Sequence, residues 1–367
     1  MANACIVLKE RVNADVHSAS AVINAFAGGG YSFDEFHILS QTDEANICEM
    51  IKLFQKRGVV LAVIAPKNVL PIVKGYIQRV FPATAIKHDF VSACVFHCEQ
   101  SVVFLLSCDE TETGAEYVKQ ICIPYLVQIS GVSYDTMFVR TIGASAARIE
   151  SLLSEVHNYT GNKMYCAHTC ARGEDVITIT YDNNTSKMLV DEVLRKLVDS
   201  LGDTVYALNE NSIEKQLVEL LKLRKRKISI AESFTGGGIA KRITSVSGAS
   251  QVYFEGLNTY DELSKIKRLG VTEYTLKTLG AVSDQTAYEM AYGLLNTGDC
   301  DIAVATTGIA GPKSDRSLLP VGLCYIAVGT KEKIRVYRYI FDGDRETITQ
   351  KGINYALYYA YRQLKDM

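Results

Sequence analysis

The residues best suited to chemistry lie in one run, AESFTGGGIA, from Ala231 to Ala240. Alternating apolar residues before the run predict a strand, whereas Ile239 and Ile243 recur at helical spacing after it. We therefore expect Ser233 on the turn between strand and helix, with Thr235 as the N-cap of the helix. The glycines that follow allow a ligand to approach the backbone at the positive end of a helix dipole. The pattern predicts a site for an anion or for a developing oxyanion.

The distribution of histidine limits which base can serve this serine. All six histidines lie at or before His168, so the region from Ala207 onward contains none. A Ser-His-Asp triad therefore cannot be built within that region, and the base for Ser233 must be a carboxylate or a lysine. Glu232 is adjacent, but neighbouring side chains on a strand point to opposite faces. A lysine is the better candidate.

Lys265 is the lysine whose neighbours best fit that role. A lysine acts as a base only when it is neutral, so its pKa, about 10.4 in model peptides, must be lowered. Apolar Leu263, Ile266 and Leu269 surround it in sequence, and Tyr260 lies five positions before it. Neighbouring cations could also lower its pKa, but exposed cations are screened by salt and have little effect. Burial is therefore expected to cause most of the pKa shift.

Two later segments carry further candidate binding groups. The apolar run from Asp301 ends in Thr306, Thr307 and Gly308, whose hydroxyls and backbone amides suit substrate binding. The structural alternative is a strand end in which threonine serves β propensity. Arg345 falls at a predicted helix start, where it pairs either with a phosphate or with a neighbouring aspartate.

Composition excludes several classes of protein. The chain has 367 residues, of which 48% are hydrophobic and 22% are charged, which suits two or three globular domains. A net charge of −2 gives no general attraction to nucleic acid or to anionic membranes, so neither is predicted as a partner. The first residues do not form a signal-peptide core, and no apolar stretch spans a bilayer. We expect a cytoplasmic protein.

The ten cysteines are scattered and are expected to be reduced thiols. Cys166, His168 and Cys170 offer three soft ligands for zinc, but no fourth ligand is evident nearby. The alternation around them favours a strand with its thiols on one face, and Cys94 and Cys98 fit the same interpretation. No metal and no cofactor are predicted.

The order of predicted elements divides the chain into three regions, 1–131, 132–206 and 207–367. The first alternates strands and helices in the rhythm of a doubly wound α/β sheet, and Gly28 to Gly30 end its first helix. The second is a small α+β unit. The third is again α/β and begins with an amphipathic helix, whose predicted buried face contains Leu217, Leu220, Leu221 and Leu223.

The third region resembles the CinA family in the order and spacing of six motifs. These motifs are AESFTGG, TYDELSKIKRLGV, LGAVS, TTGIAGP, PVG and GDRE. The resemblance covers about 213–367 and is closest to the C-terminal nicotinamide-mononucleotide deamidase domain. It implies hydrolysis of the substrate carboxamide to nicotinate mononucleotide and ammonia, with Ser233 as nucleophile, Lys265 as base and Tyr260 as a possible proton relay. It further implies a homodimer that takes a nucleotide-like small molecule. The substrate-binding residues expected from it are Thr235, Gly236, Gly237, Thr307, Gly308 and Arg345.

The front of the chain resembles the family's molybdopterin-binding-like domain more faintly, and the second region resembles its KH-like module. Val63 to Pro66 stand where the family has a glycine-rich loop, so pyrophosphatase activity is not expected and the domain is interpreted as a scaffold or a dimerisation domain. In the third region Phe234 replaces the usual cysteine, and the segment from Lys313 to Leu319 lacks the usual glycines. Two alternatives therefore stay open: a regulatory nucleotide-binding protein that has lost its chemistry, and an amidase with a different substrate.

Overall fold

The computed structural model describes residues 3–10, 17–82, 85–109, 111–161, 163–313 and 319–367. Two segments used in the sequence analysis therefore lie partly outside the described residues: 11–16 at the front of the chain, and 314–318 of the altered loop, the segment from Lys313 to Leu319. The chain forms two compact units, 1–136 with 180–187, and 137–179 with 188–367. Within the described ranges, no helix is long and apolar enough to cross a membrane.

The first unit contains a six-stranded sheet in the order β2-β1-β3-β6-β5-β4. Its strands are β1 Asn3–Lys9, β2 Glu35–Ser40, β3 Val60–Ala65, β4 Ile86–Asp89, β5 Ala93–Cys98 and β6 Ser101–Ser107. Its helices are α1 His17–Gly28, α2 Glu44–Arg57, α3 Leu70–Val80, α4 Thr111–Tyr117 and α5 Ile123–Ser130, with a π-helical turn, Val118–Cys122, between the last two. The first four strands in the order are parallel, and β5 and β4 pair antiparallel.

Helices cover both faces of this sheet, which confirms the predicted doubly wound α/β architecture. Ile6 and Leu8 of β1 pack with residues of α2 and α3, whereas Cys5 and Val7 of the same strand pack with residues of α1 and α5. Alternate residues of one strand thus enter two separate cores, as the period of two requires. Helix α1 ends at Gly28, as predicted from the glycines.

A four-stranded sheet follows, in the order β10-β7-β9-β8. Its elements are β7 Tyr134–Ile142, α6 Ala146–Thr160, β8 Met164–Ala171, β9 Glu174–Asp182, α7 Lys187–Leu201 and β10 Val205–Ala207. Cys166 and Cys170 lie on β8, as the strand interpretation predicts, and His168 Nε2 lies 2.9 Å from Asp175 Oδ1. The described residues contain no group of His, Cys, Asp or Glu that is arranged to hold a metal ion.

The last sheet has five strands in the order β12-β11-β13-β14-β15. Its strands are β11 Ile228–Glu232, β12 Tyr253–Asn258, β13 Ile302–Gly308, β14 Leu323–Gly329 and β15 Ile334–Ile340. The helices around it are α8 Ile213–Arg224, α9 Gly238–Thr244, α10 Glu262–Leu269, α11 Glu273–Thr278, α12 Asp284–Asn296 and α13 Arg345–Lys365. Strands β12, β11 and β13 are parallel, whereas β14 and β15 run antiparallel. The three sheets follow one another along the chain, and the three-domain division remains a prediction.

One detail of this region adds to the sequence predictions, and one differs from them. Strand β11 is buried along its whole length because helices cover both of its faces, so the alternation in its sequence does not mark a solvent-facing side. In α8, Leu217 and Leu221 are buried, but Leu223 is 77% exposed. Two residues correspond to about 200° around a helix, so Leu223 lies on the side opposite to Leu221.

Candidate active site

The candidate site lies where the parallel strands β12, β11 and β13 end. Because parallel strands share a direction, their carboxyl ends meet at one edge of the sheet, and ligands of open α/β sheets bind at such edges. Ser233 is the first residue after β11, and Thr259 is the first after β12. Helix α10 follows immediately and carries Lys265. The edge therefore brings together residues that are far apart in sequence.

The structure places Ser233 and Lys265 in direct contact. Lys265 Nζ lies 3.2 Å from Ser233 Oγ, within the hydrogen-bond reach that the sequence interpretation requires. The same nitrogen donates to the backbone oxygen of Thr259 at 2.7 Å and to that of Tyr260 at 3.3 Å. A neutral amine has two N–H groups and one lone pair. When both N–H groups of the neutral amine are directed at the carbonyls, its lone pair is available to the Ser233 hydroxyl, whereas the ammonium form donates to all three oxygens.

Burial sets the chemical state of this lysine. Lys265 is only 1% exposed, and burial lowers the pKa of its ammonium group, whereas the carboxylates of Glu262 and Asp261 raise it. The net direction is downward, toward the neutral form that a general base needs. Burial was the cause expected from the sequence. The surroundings differ from that expectation in one respect, because Leu263 is 61% exposed and does not cover the lysine.

The capping residues of helix α10 and the spacing of its buried residues place Lys265 on the inner face of the helix. Asp261 caps the helix by accepting a hydrogen bond from the backbone N–H of Leu263 at 2.8 Å. The helix ends at Gly270, whose φ of 70° lets its N–H donate to the last carbonyls. Lys265 and Leu269 are four residues apart and are the buried residues of this short helix. They therefore form its inner face.

The first turn of α9 is capped by Glu232, so the expectation that Thr235 is its N-cap is wrong. Glu232 is 1% exposed, and its Oε2 accepts from the N–H groups of Gly237 and Ile239 at 3.1 and 3.0 Å. Its Oε1 accepts from Ala240 N at 2.9 Å. The sequence offers one signal for this role: a carboxylate just before a turn of glycines, which have no capping side chain of their own.

Thr235 forms a contact within the scaffold, and its role in substrate binding stays a prediction. Its hydroxyl lies 2.8 Å from that of Thr306 on β13, and its side chain is buried. The bond joins the turn after β11 to the neighbouring strand. The hydroxyl predicted to bind substrate thus takes part in holding the turn in place.

The glycine turn does not offer the anion cradle that its sequence suggests. The N–H of Gly236 donates to Ser233 O at 3.1 Å, and that of Gly238 donates to Thr235 O at 2.9 Å. The N–H of Gly237 is taken by the Glu232 carboxylate. By contrast, no partner among the described residues accepts a hydrogen bond from the backbone N–H of Phe234 or Thr235. These two groups, next to Ser233, are the donors that the turn leaves for a ligand.

The end of β13 serves mainly to build the scaffold. The hydroxyl of Thr307, a residue that is 1% exposed, donates to the backbone oxygen of Ala281 at 2.6 Å. A Cβ atom at Gly308 would lie 2.6 Å from the Cβ of Cys324 on β14, so only glycine fits there. These contacts match the structural alternative considered for Thr307 and Gly308, a strand end, more closely than an open binding surface.

Arg345 and Tyr260 lie together, with Tyr260 more than half exposed. Arg345 is the first residue of α13, as predicted, and its Nη1 donates to the backbone oxygen of Gly311 at 2.6 Å. Its Nη2 donates to the Tyr260 hydroxyl at 3.4 Å. It pairs with neither neighbouring aspartate: Asp344 caps α13 and Asp342 binds a lysine. Tyr260 contacts Lys265 through its carbonyl, so these contacts do not support a relay through its hydroxyl.

Comparison with known proteins gives one consistent set of relatives. The family model of the CinA C-terminal domain matches residues 210–364. A protein of Caldicellulosiruptor saccharolyticus is 33% identical over 308 residues, which are 83% of this chain and 73% of the relative. A protein of Clostridium acetobutylicum is 30% identical over 324 residues, which are 86% of this chain and 76% of the relative. Both carry the name "Putative competence-damage inducible protein".

Solved structures include the crystal structure of a competence-damaged protein (CinA) superfamily protein from Klebsiella pneumoniae. It is 28% identical to this chain, covers 42% of it and 97% of its own length, and superposes with a TM-score of 0.41.

Proposed function

The chain belongs to the CinA family, and we propose that it is an amidohydrolase that converts nicotinamide mononucleotide to nicotinate mononucleotide and ammonia. The observation that carries this proposal is the distance of 3.2 Å between Ser233 Oγ and the buried Lys265 Nζ. A serine hydroxyl is a weak nucleophile until a base takes its proton. A desolvated lysine whose pKa is lowered is such a base.

The first half of the reaction forms an acyl-enzyme. Neutral Lys265 takes the proton of Ser233 Oγ while that oxygen bonds to the carboxamide carbon, and the carbonyl oxygen becomes an oxyanion. The C–N bond then breaks, and protonated Lys265 returns its proton to the departing nitrogen, which leaves as ammonia. The carbonyls of Thr259 and Tyr260 accept hydrogen bonds from the lysine in both of its states. The amine therefore stays in place while its proton moves.

The second half uses the same two residues on water. Lys265 takes a proton from a water molecule whose oxygen attacks the ester carbon on Ser233. The bond from that carbon to Oγ then breaks, Oγ takes the proton from Lys265, and the carboxylate product leaves. The balance is one amide and one water consumed, with one carboxylic acid and one ammonia formed.

Two backbone N–H groups are proposed to hold the oxyanion. Those of Phe234 and Thr235 follow the nucleophile directly, and the loss of one such donor typically costs about 3 kcal/mol of transition-state stabilisation. The Phe234 ring is buried in a cluster with Phe341 and Ile348. This packing holds the backbone beside Ser233 in place.

Arg345 favours a substrate that carries a phosphate. Its guanidinium group is exposed beside Tyr260, and within the described part of the chain it forms no ion pair. Two N–H groups of one guanidinium can bind a phosphate in a bidentate manner. The segment from Lys313 to Leu319 contains no glycine, unlike the pattern implied by the family resemblance, so an amidase with a different substrate is kept as the second candidate.

Ammonia release from nicotinamide mononucleotide tests the proposal. Wild-type protein is expected to release ammonia, and the Ser233→Ala variant is expected to release none above background. Parallel assays with nicotinamide riboside and free nicotinamide measure the contributions of phosphate and ribose. An inactive wild type would reject the proposed substrate. Equal rates with the mononucleotide and the riboside would remove the role given to the phosphate and favour the second candidate.

A further inference from the structure

We propose that Glu232 is a positioning residue. Its buried carboxylate acts as an internal anion at the start of α9 and aligns Ser233, while its backbone aligns the Thr259 carbonyl to which Lys265 donates. The inference rests on the proposed amidohydrolase function and deepens it. Glu232 touches neither Ser233 Oγ nor Lys265 Nζ in the described contacts, so it acts through the turn after β11 and through Thr259.

The side chain of Glu232 fixes the turn that carries the nucleophile. Both carboxylate oxygens are used, and they accept from the N–H groups of Gly237, Ile239 and Ala240. Glu232 ends β11, so the same residue is held in the sheet by its backbone and bound to the helix by its side chain. Ser233 lies between these two anchors. Its backbone can move only if the strand or the cap gives way.

The backbone of Glu232 holds in place the Thr259 carbonyl to which Lys265 donates. Its carbonyl oxygen accepts from Thr259 N at 2.8 Å, and Thr259 O in turn accepts from Lys265 Nζ at 2.7 Å. One residue is thus linked to the nucleophile through its side chain and to the lysine through its main chain. The separation of the reacting oxygen and nitrogen depends on both links.

The same arrangement determines where a substrate phosphate is not bound. An anion normally suits the N-terminus of a helix because unpaired N–H groups point at it. Here the protein supplies the anion itself, and a second one would meet an occupied set of donors and a buried like charge. The phosphate of the substrate therefore has to lie away from the glycine turn, which agrees with a position near Arg345, whose guanidinium group forms no ion pair with the described residues.

The Glu232→Gln variant tests the inference with almost no change of volume. Its NH₂ group must face at least one of the N–H groups that the second carboxylate oxygen now accepts from, because an amide has only one acceptor oxygen. We expect kcat to fall by about 10- to 100-fold, since misplacement by about 1 Å has such an effect. KM for the nucleotide should stay within about threefold, because the phosphate contact lies elsewhere.

Glu255→Gln is the matched control. Glu255 lies on the adjacent strand β12, opposite Ser229 of β11, and is only partly buried. The same change of charge and volume there should leave kcat within about twofold of wild type. Thermal unfolding of each variant sets an assay temperature at which the protein is folded. Unchanged kcat per folded Glu232→Gln protein would mean that the carboxylate only stabilises the fold, and would overturn the inference.

Amide hydrogen exchange, followed by mass spectrometry, provides a second readout that does not depend on the substrate. Peptides covering Phe234 to Ala240 should exchange about tenfold faster in Glu232→Gln than in wild type, and at the wild-type rate in Glu255→Gln. Unaltered exchange in Glu232→Gln would overturn the inference even if activity fell. If wild-type protein released no ammonia, the proposed function would fail, whereas the exchange measurement would still decide whether Glu232 orders the turn.

Discussion

Two sheets of this chain present the carboxyl ends of parallel strands, and the two edges are built from different kinds of contact. In the first unit, Asp109 follows β6 and its Oδ2 accepts from the backbone N–H of Lys67, which follows β3, at 2.6 Å. Both residues are exposed. At the edge of the five-stranded sheet, Ser233 and Lys265 meet out of water, and the lysine is 1% exposed.

Both sheets provide an edge at which groups from different strands meet. Burial from water, and not the sheet itself, changes the chemical properties of the groups at that edge. Exposed groups interact through a high dielectric, which weakens the contact between them. At the second edge burial lowers the pKa of the Lys265 amine, whose nitrogen lies against two carbonyls and the Ser233 hydroxyl. The same α/β architecture thus forms an exposed loop contact in one unit and a contact between a serine and a buried lysine in the other.

Replacing Ser233 should produce the largest difference in activity between variants at the two edges. Ser233→Ala is expected to lower kcat/KM for nicotinamide mononucleotide by more than about 10⁴-fold, because no acyl-enzyme can form. The matched change in the first unit, Asp109→Asn, should leave kcat/KM within about twofold. Steady-state ammonia release measures both. A large loss in Asp109→Asn would show that the first unit takes part in the reaction and would remove the contrast.

Removing the base should have the next largest effect on activity. Lys265→Met is expected to lower kcat by about 10²- to 10⁴-fold, the usual contribution of a general base. In wild type, kcat/KM should rise with pH through the pKa of Lys265, because only the neutral amine accepts the serine proton. That rise should occur below pH 10.5, the ordinary lysine value, since burial lowers the pKa. A profile that rises only above that value would contradict the proposed base.

The same lysine makes stability depend on pH with a defined sign. Its pKa is lower in the folded state than in the unfolded chain, so between the two values the unfolded chain binds more protons. The free energy of unfolding should therefore rise with pH from the lowered value up to about 10.5, and it should be smallest below that window. Urea unfolding at several pH values measures this slope. Lys265→Met should lack this part of the slope.

Changing the cation beside Tyr260 should affect binding more than chemistry. Arg345→Leu is expected to raise KM for the mononucleotide by about 10- to 100-fold, with kcat within about threefold, because a charge-assisted hydrogen bond contributes about 1.5 to 3 kcal/mol. The riboside, which lacks the phosphate, should show no such change. Arg338→Leu, on the exposed side of β15, is the control and should resemble wild type. Equal effects on both substrates would contradict a phosphate contact.

The smallest effect is expected at the end of β13. Thr307→Val keeps the β-branched shape but loses the hydrogen bond to Ala281 O, so the free energy of unfolding should fall by about 1 kcal/mol. Because that hydroxyl is occupied inside the scaffold, kcat and KM should stay within about twofold of wild type. Denaturant unfolding and ammonia release measure the two quantities. A large rise in KM would return Thr307 to the substrate-binding role first predicted for it.

Much of the fold follows from local pattern. The strand, turn and helix around Ser233, the helix that begins at Arg345 and the doubly wound first sheet all agree with periodicity and with turn residues. These features are determined by residues that are close in sequence, so the period of hydrophobic residues and the positions of glycines predict them directly.

Other features required knowledge of what packs against each element. On α10 the leucine at 263 is exposed and the lysine at 265 is buried, the reverse of what side-chain polarity alone predicts. The cap of α9 is Glu232, which lies on the preceding strand, whereas capping rules look for the residue next to the helix. Neither feature is visible in the spacing of residues, because each depends on a contact with another segment.

The sequence by itself therefore determined which residues were available: a serine on a strand-to-helix turn, no histidine after it, and a lysine 32 residues later. Only the tertiary structure decided that the lysine is buried against two carbonyls and lies within hydrogen-bond distance of the serine. It also decided that the glycine turn receives a carboxylate of the protein in place of a phosphate. The physical reason is that burial and hydrogen-bond partners are set by segments distant in sequence, and these set the pKa of an amine and the availability of an N–H group.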